Sequence, residues 1–212
     1  MHRAPTCPHG PHEIRPPGPW TSAWMCAEHG EVQPLHHPGR PSYATLAAVV
    51  QAARVPVWLP RPLPPAWLVA GATYAGDDRR GGCATVVACT GPNPVGGPAD
   101  LLLVAEEPGI GLGARYAGMP GVDPGDGIGK GLAQAQVRVY GHEAPLWHVQ
   151  GSADRAVYVG EASGLWLWLV LAPASAGALI VEDLMLVDLR SELPAGLTFA
   201  PLSRLLLVRS PS

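Results

Sequence analysis

Charged side chains are scarce in this chain: 15% of its 212 residues are Asp, Glu, Lys or Arg, against about 25% in typical soluble proteins. Lys130 is its single lysine, and the net charge is −3. The chain therefore lacks the basic excess that marks nucleic-acid-binding proteins, and no nucleic-acid partner is expected. With so few charges to cover it, part of the surface should be apolar. We expect that part to contact a protein partner or a second copy of the chain.

Several enzyme motifs are also missing, namely the P-loop, HExxH and GxSxG. The N-terminal sequence MHRAPTCPHG has no apolar run of the kind found in signal peptides. Together with only four cysteines, this predicts a cytoplasmic protein whose thiols are buried or bind metal and do not form disulfides.

One uncharged stretch, Ala162 to Val181, has about the length of a membrane span. It is interrupted by the turn-like sequence APASAG and flanked by acidic residues, with no basic cluster nearby. These features favour two buried elements joined by a turn, and no membrane partner is expected.

Glycine and proline are abundant, with 26 and 25 residues, which favours many short elements. Three apolar runs lie between the turn sequences GDDRRGG and GPNPVGGP, and they predict an antiparallel β-meander. The third run contains LLLVA, which is apolar on both faces and typical of a central strand. We therefore predict the α+β class, with a β-rich single domain built on this meander. Its strands are predicted at Trp67–Ala75, Cys83–Thr90 and Asp100–Glu107, with further strands near Gln136–Tyr140, Leu146–Val149, Ala156–Gly160 and in GLWLWLVLA.

The remaining segments divide the chain. Ser42 is a suitable N-cap for a helix over SYATLAAVVQAAR. For ALIVEDLMLVDLR, periodicity leaves open whether a strand runs into a helix. The predicted organisation is a head (1–41), a helix with a proline-rich linker (42–65), the β-rich domain (66–190) and a C-terminal extension (191–212).

The head contains residues suited to a metal site. Cys26 and His29 form a C-x-x-H half-site, whose spacing lets both side chains reach one tetrahedral ion. Cys7 begins the other half-site, but Gly10 stands where a zinc ribbon has its second cysteine. His9 or His12 can supply the missing ligand, which gives a Cys₂His₂ zinc site. The alternative is a head that packs without metal.

Several short sequences resemble a family of uncharacterised actinobacterial cytosolic proteins. They are Cys7-Pro8, the CxxHG run at 26–30, VPVW at 55–58, YAGDDR at 74–79, LLLVAEE with GLGARYAG, PLWH at 145–148, GEASGLWLW and VDLR at 187–190. The resemblance implies a degenerate zinc-ribbon head on an α+β body. Some members carry a phosphotransacetylase label, for which no residue here gives support.

Two polar or glycine-rich sequences invite a ligand-binding interpretation. Gly109, Gly111 and Gly113 follow a strand, but their G-x-G-x-G spacing differs from the dinucleotide fingerprint, so a glycine-rich turn is favoured. The turn containing Asp78 and Arg79 is first of all a structural turn. It can also meet Glu106 and Arg115 at one end of the sheet, where the four would bind a small polar ligand.

Three functions remain. The first is a non-enzymatic protein of interaction or self-assembly. The second is an acyl- or phosphoryl-transferring enzyme with a polar site at the end of the sheet, with His148 as a further candidate. The third is nucleic-acid binding through the head, which its mixed charges disfavour.

Overall fold

The computed structural model describes residues 4–181 and 184–207. It is β-rich, with two sheets and a few short helices. The three-stranded sheet lies in the head and consists of β1 (Ile14–Arg15), β2 (Met25–Cys26) and β3 (Gly30–Glu31). The strands of the nine-stranded sheet are β4 (Trp58–Pro60), β5 (Leu68–Asp77), β6 (Gly81–Pro92), β7 (Pro98–Glu106), β8 (Ala135–Val139), β9 (His142–Val149), β10 (Ala156–Ala162), β11 (Leu165–Ala172) and β12 (Met185–Asp188). The helices are α1 (Tyr43–Ala52), α2 (Leu112–Ala117) and two 3₁₀ helices, Ala174–Val181 and Arg204–Leu206.

The strand order in the large sheet is β4-β12-β8-β9-β10-β11-β7-β6-β5. β5, β6 and β7 pair antiparallel in chain order and form the predicted meander. β12 pairs parallel with β8 and antiparallel with β4. β4, at one edge of the sheet, also contacts β6 and β7. The sheet is therefore curled, and its β4 edge packs against the strands of the meander.

Both faces of the sheet are covered by apolar side chains. One face packs against α1, β4 and the first 3₁₀ helix, with Leu46, Leu101 and Leu103 in its core. The opposite face packs against α2 and the second 3₁₀ helix, with Leu102 and Trp168 in its core. Every residue of the LLLVA sequence in β7 is buried. The prediction of a central strand is therefore confirmed.

The outer edge of β5 is covered by two distant parts of the chain. Near its end, the amide of His36 donates to the Tyr74 carbonyl at 3.0 Å. Near its start, the Val69 amide donates to the Thr198 carbonyl at 3.1 Å, and the Ala200 amide donates to the Val69 carbonyl at 2.9 Å. An uncovered strand edge offers free amides and carbonyls to other chains, and this arrangement occupies many of them.

The helix predicted after Ser42 is confirmed, since the Ser42 hydroxyl accepts from the Thr45 amide at 3.2 Å. Three other expectations differ in detail. β4 lies inside the segment expected to be a linker, and α2 begins at Leu112, inside the glycine run that was expected to be a turn. In ALIVEDLMLVDLR, where periodicity left open whether a strand runs into a helix, a 3₁₀ helix comes before β12; residues 182–183 of this segment lie outside the described part. Across the described residues, no helix has the length and apolarity that crossing a membrane requires.

Candidate functional site: a thiol–imidazole cluster beside an arginine-lined cavity

The head brings two cysteines and one histidine together. Cys26 ends β2 and pairs with Gly30 of β3, so the tight turn between them carries His29 back over the Cys26 thiol. Gly30 has a φ of +71°, which suits glycine at this turn. Cys7 arrives from the other side, where its amide donates to the His12 carbonyl at 3.0 Å. Both cysteines are buried, and Val32 and Ile14 pack against them.

The three ligand atoms are close to the spacing of a tetrahedral site. His29 Nδ1 lies 3.6 Å from Cys7 Sγ and 3.5 Å from Cys26 Sγ. With zinc bonds of about 2.3 Å to sulfur and about 2.05 Å to nitrogen, tetrahedral geometry separates the two atoms by about 3.6 Å. All three atoms lie within 4.8 Å of one another. This group can therefore hold a metal ion. Burial is the main factor that raises the pKa of the Cys7 thiol, to about 11.

His9 and His12 flank His29 in different ways. Their ring centroids lie 4.7 and 5.3 Å from that of His29. The His9 imidazole lies against the Ile110 carbonyl and Gly111. Burial lowers the pKa of His9, and the neighbouring His29 lowers it further by a smaller amount. The His12 imidazole points its Nδ1 at Glu28, 3.7 Å from Oε1.

Gly10 is in contact with His12. A Cβ atom added at Gly10 would lie 2.7 Å from Cδ2 and 2.8 Å from Nε2 of His12. The His12 ring therefore fills the space that a side chain at position 10 would use. Glycine at this position is what allows the ring to lie there.

Arg115 joins this cluster to the large sheet. Its Nη1 donates to the Cys7 carbonyl, while its Nη2 is buried without a hydrogen-bond partner among the described residues. Burial lowers the pKa of Arg115. Beside it lies a cavity of about 630 Å³. The cavity is bounded by the head at Gly10, by α2, by the loop before β10 and by the second 3₁₀ helix, and it is lined among others by Arg115, Arg155, Arg204 and Asp154.

The four predicted ligand-binding residues do not form one ion-pair cluster. Asp78 and Arg79 are exposed in the turn between β5 and β6, where Arg79 Nη1 donates to the Ser22 carbonyl at 3.4 Å. Among the described residues, neither makes a hydrogen bond or ion pair with Glu106 or Arg115. Arg115 lines the cavity, and Glu106 lies behind it, fully buried.

Glu106 holds the start of α2. Its two carboxyl oxygens accept from the amides of Leu112 and Gly113 at 2.7 and 3.2 Å. Burial raises the pKa of Glu106 to about 8, although these two hydrogen bonds oppose the shift. Trp168 packs closely on the first turn of α2: a Cβ atom added at Gly113 would lie 2.3 Å from the Trp168 indole. The glycine run therefore has a packing role here.

His148 lies apart from these groups. It pairs with Tyr158 on β10, which pairs with Leu169 on β11, and Leu169 belongs to the core of the α1 face. Glu106 pairs instead with Trp166, on the α2 face. The two residues are on opposite faces and three strands apart, about 14 Å at about 4.8 Å a strand.

Two residues of the cavity, Arg155 and Arg204, were not predicted as site residues. No spacing in the sequence relates them to Arg115, because the loop before β10 and the second 3₁₀ helix meet α2 only in the folded chain. Their residue type was the one available signal, and with thirteen arginines in the chain it does not single them out.

Together, the fold and the cluster define a β-rich protein with a small Cys/His-bearing head docked on the end of a nine-stranded sheet. The sequence model of DUF6758, a family of unknown function, matches residues 1–206, and the chain belongs to this family. Neither a curated protein nor a solved structure matches it significantly.

Proposed function

We propose that this chain is a zinc-binding protein in which one metal ion holds the head together, and that it acts by binding and not by catalysis. The observation that carries the proposal is the placement of Cys7 Sγ, Cys26 Sγ and His29 Nδ1 within 4.8 Å of one another.

The donor set suits zinc. Thiolate and imidazole are its preferred protein ligands, and a site closed by four side chains is typical of a structural role. The head also has few other sources of stability, because its small apolar cluster contains Cys7, Cys26 and Val32, with Ile14 packed against it. Metal binding can supply the folding free energy that such a small core lacks.

His12 is the fourth ligand in this proposal, in preference to His9. Its Nε2 lies beside the point where a side chain at position 10, the place of the second cysteine in a zinc ribbon, would begin. Its Nδ1 faces Glu28, which matches the carboxylate partner that metal-binding histidines commonly have. The His9 ring is already engaged with the Ile110 carbonyl and Gly111.

The first experiment measures metal in the purified protein by mass spectrometry. We expect about one equivalent of zinc in the wild type and in Cys83→Ser, which changes a buried thiol on β6 outside the thiol–imidazole cluster. Cys26→Ser should lose the metal. Equal metal content in the two variants, or none in the wild type, would refute the zinc proposal.

The second experiment tests the fourth ligand. Zinc affinity, measured by competition with a chelator, should fall in His12→Ala and stay near the wild-type value in His9→Ala. Gly10→Cys introduced into His12→Ala should restore the zinc affinity. When cobalt replaces zinc, this double variant should also show a stronger thiolate-to-metal absorption band than the wild type, because a third thiolate binds the metal. If only His9→Ala weakens binding, His9 is the ligand and the zinc proposal still stands.

The separation of the titratable groups supports binding over catalysis. Glu106 is fully buried, and His148 lies on the opposite face of the sheet. Asp78 is exposed in a turn. These residues are too dispersed to act on one substrate.

A role in self-assembly is favoured by Trp20. Its side chain is 98% exposed in a tight turn closed by reciprocal hydrogen bonds between Gly18 and Thr21. Exposed tryptophans on rigid turns are frequent energetic centres of protein interfaces. The partner in this proposal is a second copy of the chain. Sedimentation velocity should show concentration-dependent association that Trp20→Ala abolishes and Leu132→Ala, an equally apolar exposed control, does not. A monomer at all concentrations would exclude this role.

A further inference from the structure

The arginine-lined cavity has no part in the proposed zinc site. It has a volume of about 630 Å³, within the roughly 300–1,000 Å³ range of small-molecule sites. Four separate segments of the chain form its walls, so its shape is fixed by tertiary contacts. It is distinct from the thiol–imidazole cluster, although Gly10 of the head lies on its rim.

The cavity concentrates positive charge in a chain that is acidic overall. Among the described residues, Arg115, Arg155 and Arg204 line it against one carboxylate, Asp154. The net charge of the chain is −3, whereas these four side chains sum to +2. Charges of one sign at a concave surface attract small ions of the opposite sign.

Two of these guanidinium groups are held in place by the backbone. Arg115 Nη1 donates to the Cys7 carbonyl and Arg155 Nη1 to the Tyr116 carbonyl. Arg155 Nε lies 3.5 Å from Asp154 Oδ1 without hydrogen-bond geometry. Each guanidinium has five N–H donors in a fixed plane, so these contacts leave most of them free. Nη2 of Arg115 has no hydrogen-bond partner in the described part of the chain.

The third arginine completes the group. Arg204 is exposed, and its side chain makes no hydrogen bond or ion pair with any other described residue. Its position on the second 3₁₀ helix places it across the cavity from α2. The arrangement therefore consists of two anchored guanidinium groups and one that is able to move.

We propose that this cavity binds a small phosphate-bearing molecule, with Arg155 and Arg204 contacting its phosphate group and Arg115 adding positive charge to the lining. Guanidinium groups match phosphate oxygens in geometry and form strong charge-assisted hydrogen bonds with them. A dianionic phosphate balances the +2 of the lining. The volume that remains beyond a phosphate group admits an organic substituent.

The cavity is suited to binding and not to conversion of the ligand. Its described lining contains no Ser, Thr or Cys that could act as a nucleophile. His9 is the one imidazole of that lining, and its ring faces the Ile110 carbonyl. We therefore assign no reaction to the site.

The test is isothermal titration calorimetry of the full-length protein with inorganic phosphate, with chloride added to keep the ionic strength constant. We expect saturable binding at one site. Arg155→Gln and Arg204→Gln should each weaken it about tenfold or more, the usual loss for one charged hydrogen bond. Arg61→Gln, which removes an exposed arginine paired with Glu192 elsewhere, should leave it unchanged.

Succinate, titrated in the same way, tests the class of anion. Tighter binding of succinate than of phosphate would overturn the assignment of a phosphate site. If chloride at the same ionic strength abolishes phosphate binding, the interaction is non-specific and the proposed site is refuted. The site is also refuted if Arg204→Gln and Arg61→Gln bind phosphate equally well. Arg204 is exposed, so Arg204→Gln is expected to fold and this comparison decides the question even if Arg155→Gln is unstable. Metal content, measured on the same samples, keeps a failure of this site separate from a failure of the zinc proposal.

Discussion

The guanidinium of Arg115 on α2 donates a hydrogen bond to the backbone carbonyl of Cys7 in the head. A residue positioned by the large sheet thereby holds the residue that presents the first thiol of the candidate metal site. This hydrogen bond therefore joins the head to α2 beside the candidate metal site.

Replacement of Arg115 by Gln should lower zinc affinity by about 10–100-fold, the usual effect of losing a residue that supports a metal ligand. The reason is that Cys7 then loses its fixed backbone position. Chelator competition measures the affinity, and Arg61→Gln serves as the control. An unchanged affinity would mean that the head positions Cys7 without α2.

Glu106→Gln should destabilise the protein by about 1–3 kcal/mol at pH 5, because the amide nitrogen of Gln cannot accept one of the two hydrogen bonds from α2. Urea unfolding measures this change, with the exposed neighbour Glu107→Gln as the control. A loss no larger than that of Glu107→Gln would contradict the capping role.

The same variant should change the pH dependence of stability. Burial raises the pKa of Glu106 to about 8 from its ordinary 4.5. The folded wild type therefore binds this proton more tightly than the unfolded chain. The protonated Glu106 side chain stabilises the fold fully below about pH 4.5, and this contribution to the free energy of unfolding is lost as the pH rises towards 8. The stability difference between wild type and Glu106→Gln should therefore shrink between pH 5 and pH 9. A difference that grows over this range would show that the folded protein favours the ionised carboxylate.

Asp188→Asn should cost about 1.5–3 kcal/mol, the usual effect of losing a charged hydrogen bond, because the Arg190 side chain is 32% exposed and can still be solvated. Asp188 is 6% exposed; it pairs with Arg190 Nη2 at 2.7 Å and accepts from the Tyr140 hydroxyl at 3.0 Å. Burial alone would raise its pKa, but hydrogen bonds from Arg190 and Val57 outweigh burial and hold the pKa below its ordinary value.

The sign of the pH effect is opposite to that of Glu106. The lowered pKa gives stability that is present above the ordinary pKa of 3.8 and is lost as the pH falls through the lower value of the folded state. Acid titration of unfolding should show this loss in the wild type and in Asp126→Asn, an exposed control. In Asp188→Asn it should be smaller.

Gly113→Ala should destabilise the protein by about 1–3 kcal/mol through overpacking. The new methyl group would meet the Trp168 indole at 2.3 Å, and Trp168 is fully buried. Gly127→Ala, where nothing lies within 4 Å of the added atom, should have little effect. Denaturant unfolding of the two variants gives the comparison, and equal midpoints would contradict the close packing.

The elements best predicted from the sequence are those with a local signal. The apolar run of β7 and the Ser42 cap each follow from a few adjacent residues, and the C-x-x-H spacing of Cys26 and His29 pointed to two members of the thiol–imidazole cluster. The choice between His9 and His12 needed the contacts of Gly10 and Ile110, which lie far apart in the chain.

The cavity could not be predicted from short stretches of sequence either, because its residues are also far apart in the chain. Arg115, Arg155 and Arg204 come from three segments that no periodicity connects. The sequence singled out Arg115 but grouped it with Asp78 and Arg79, because strands that adjoin in sequence were expected to bring their ends into contact. The strands do finish at the same end of the sheet. Glu106 is nevertheless buried against the start of α2, whereas Asp78 and Arg79 are exposed in the β5–β6 turn.

The covering of β5 has a consequence for synthesis. Residues 34–36 leave the ribosome before the strand they protect, whereas residues 198–203 leave it long afterwards. Between the synthesis of these two segments the first half of the strand therefore has free amides and carbonyls on its open side. That edge is closed only when residues 198–203 have been made and have docked on Val69 and Ala70.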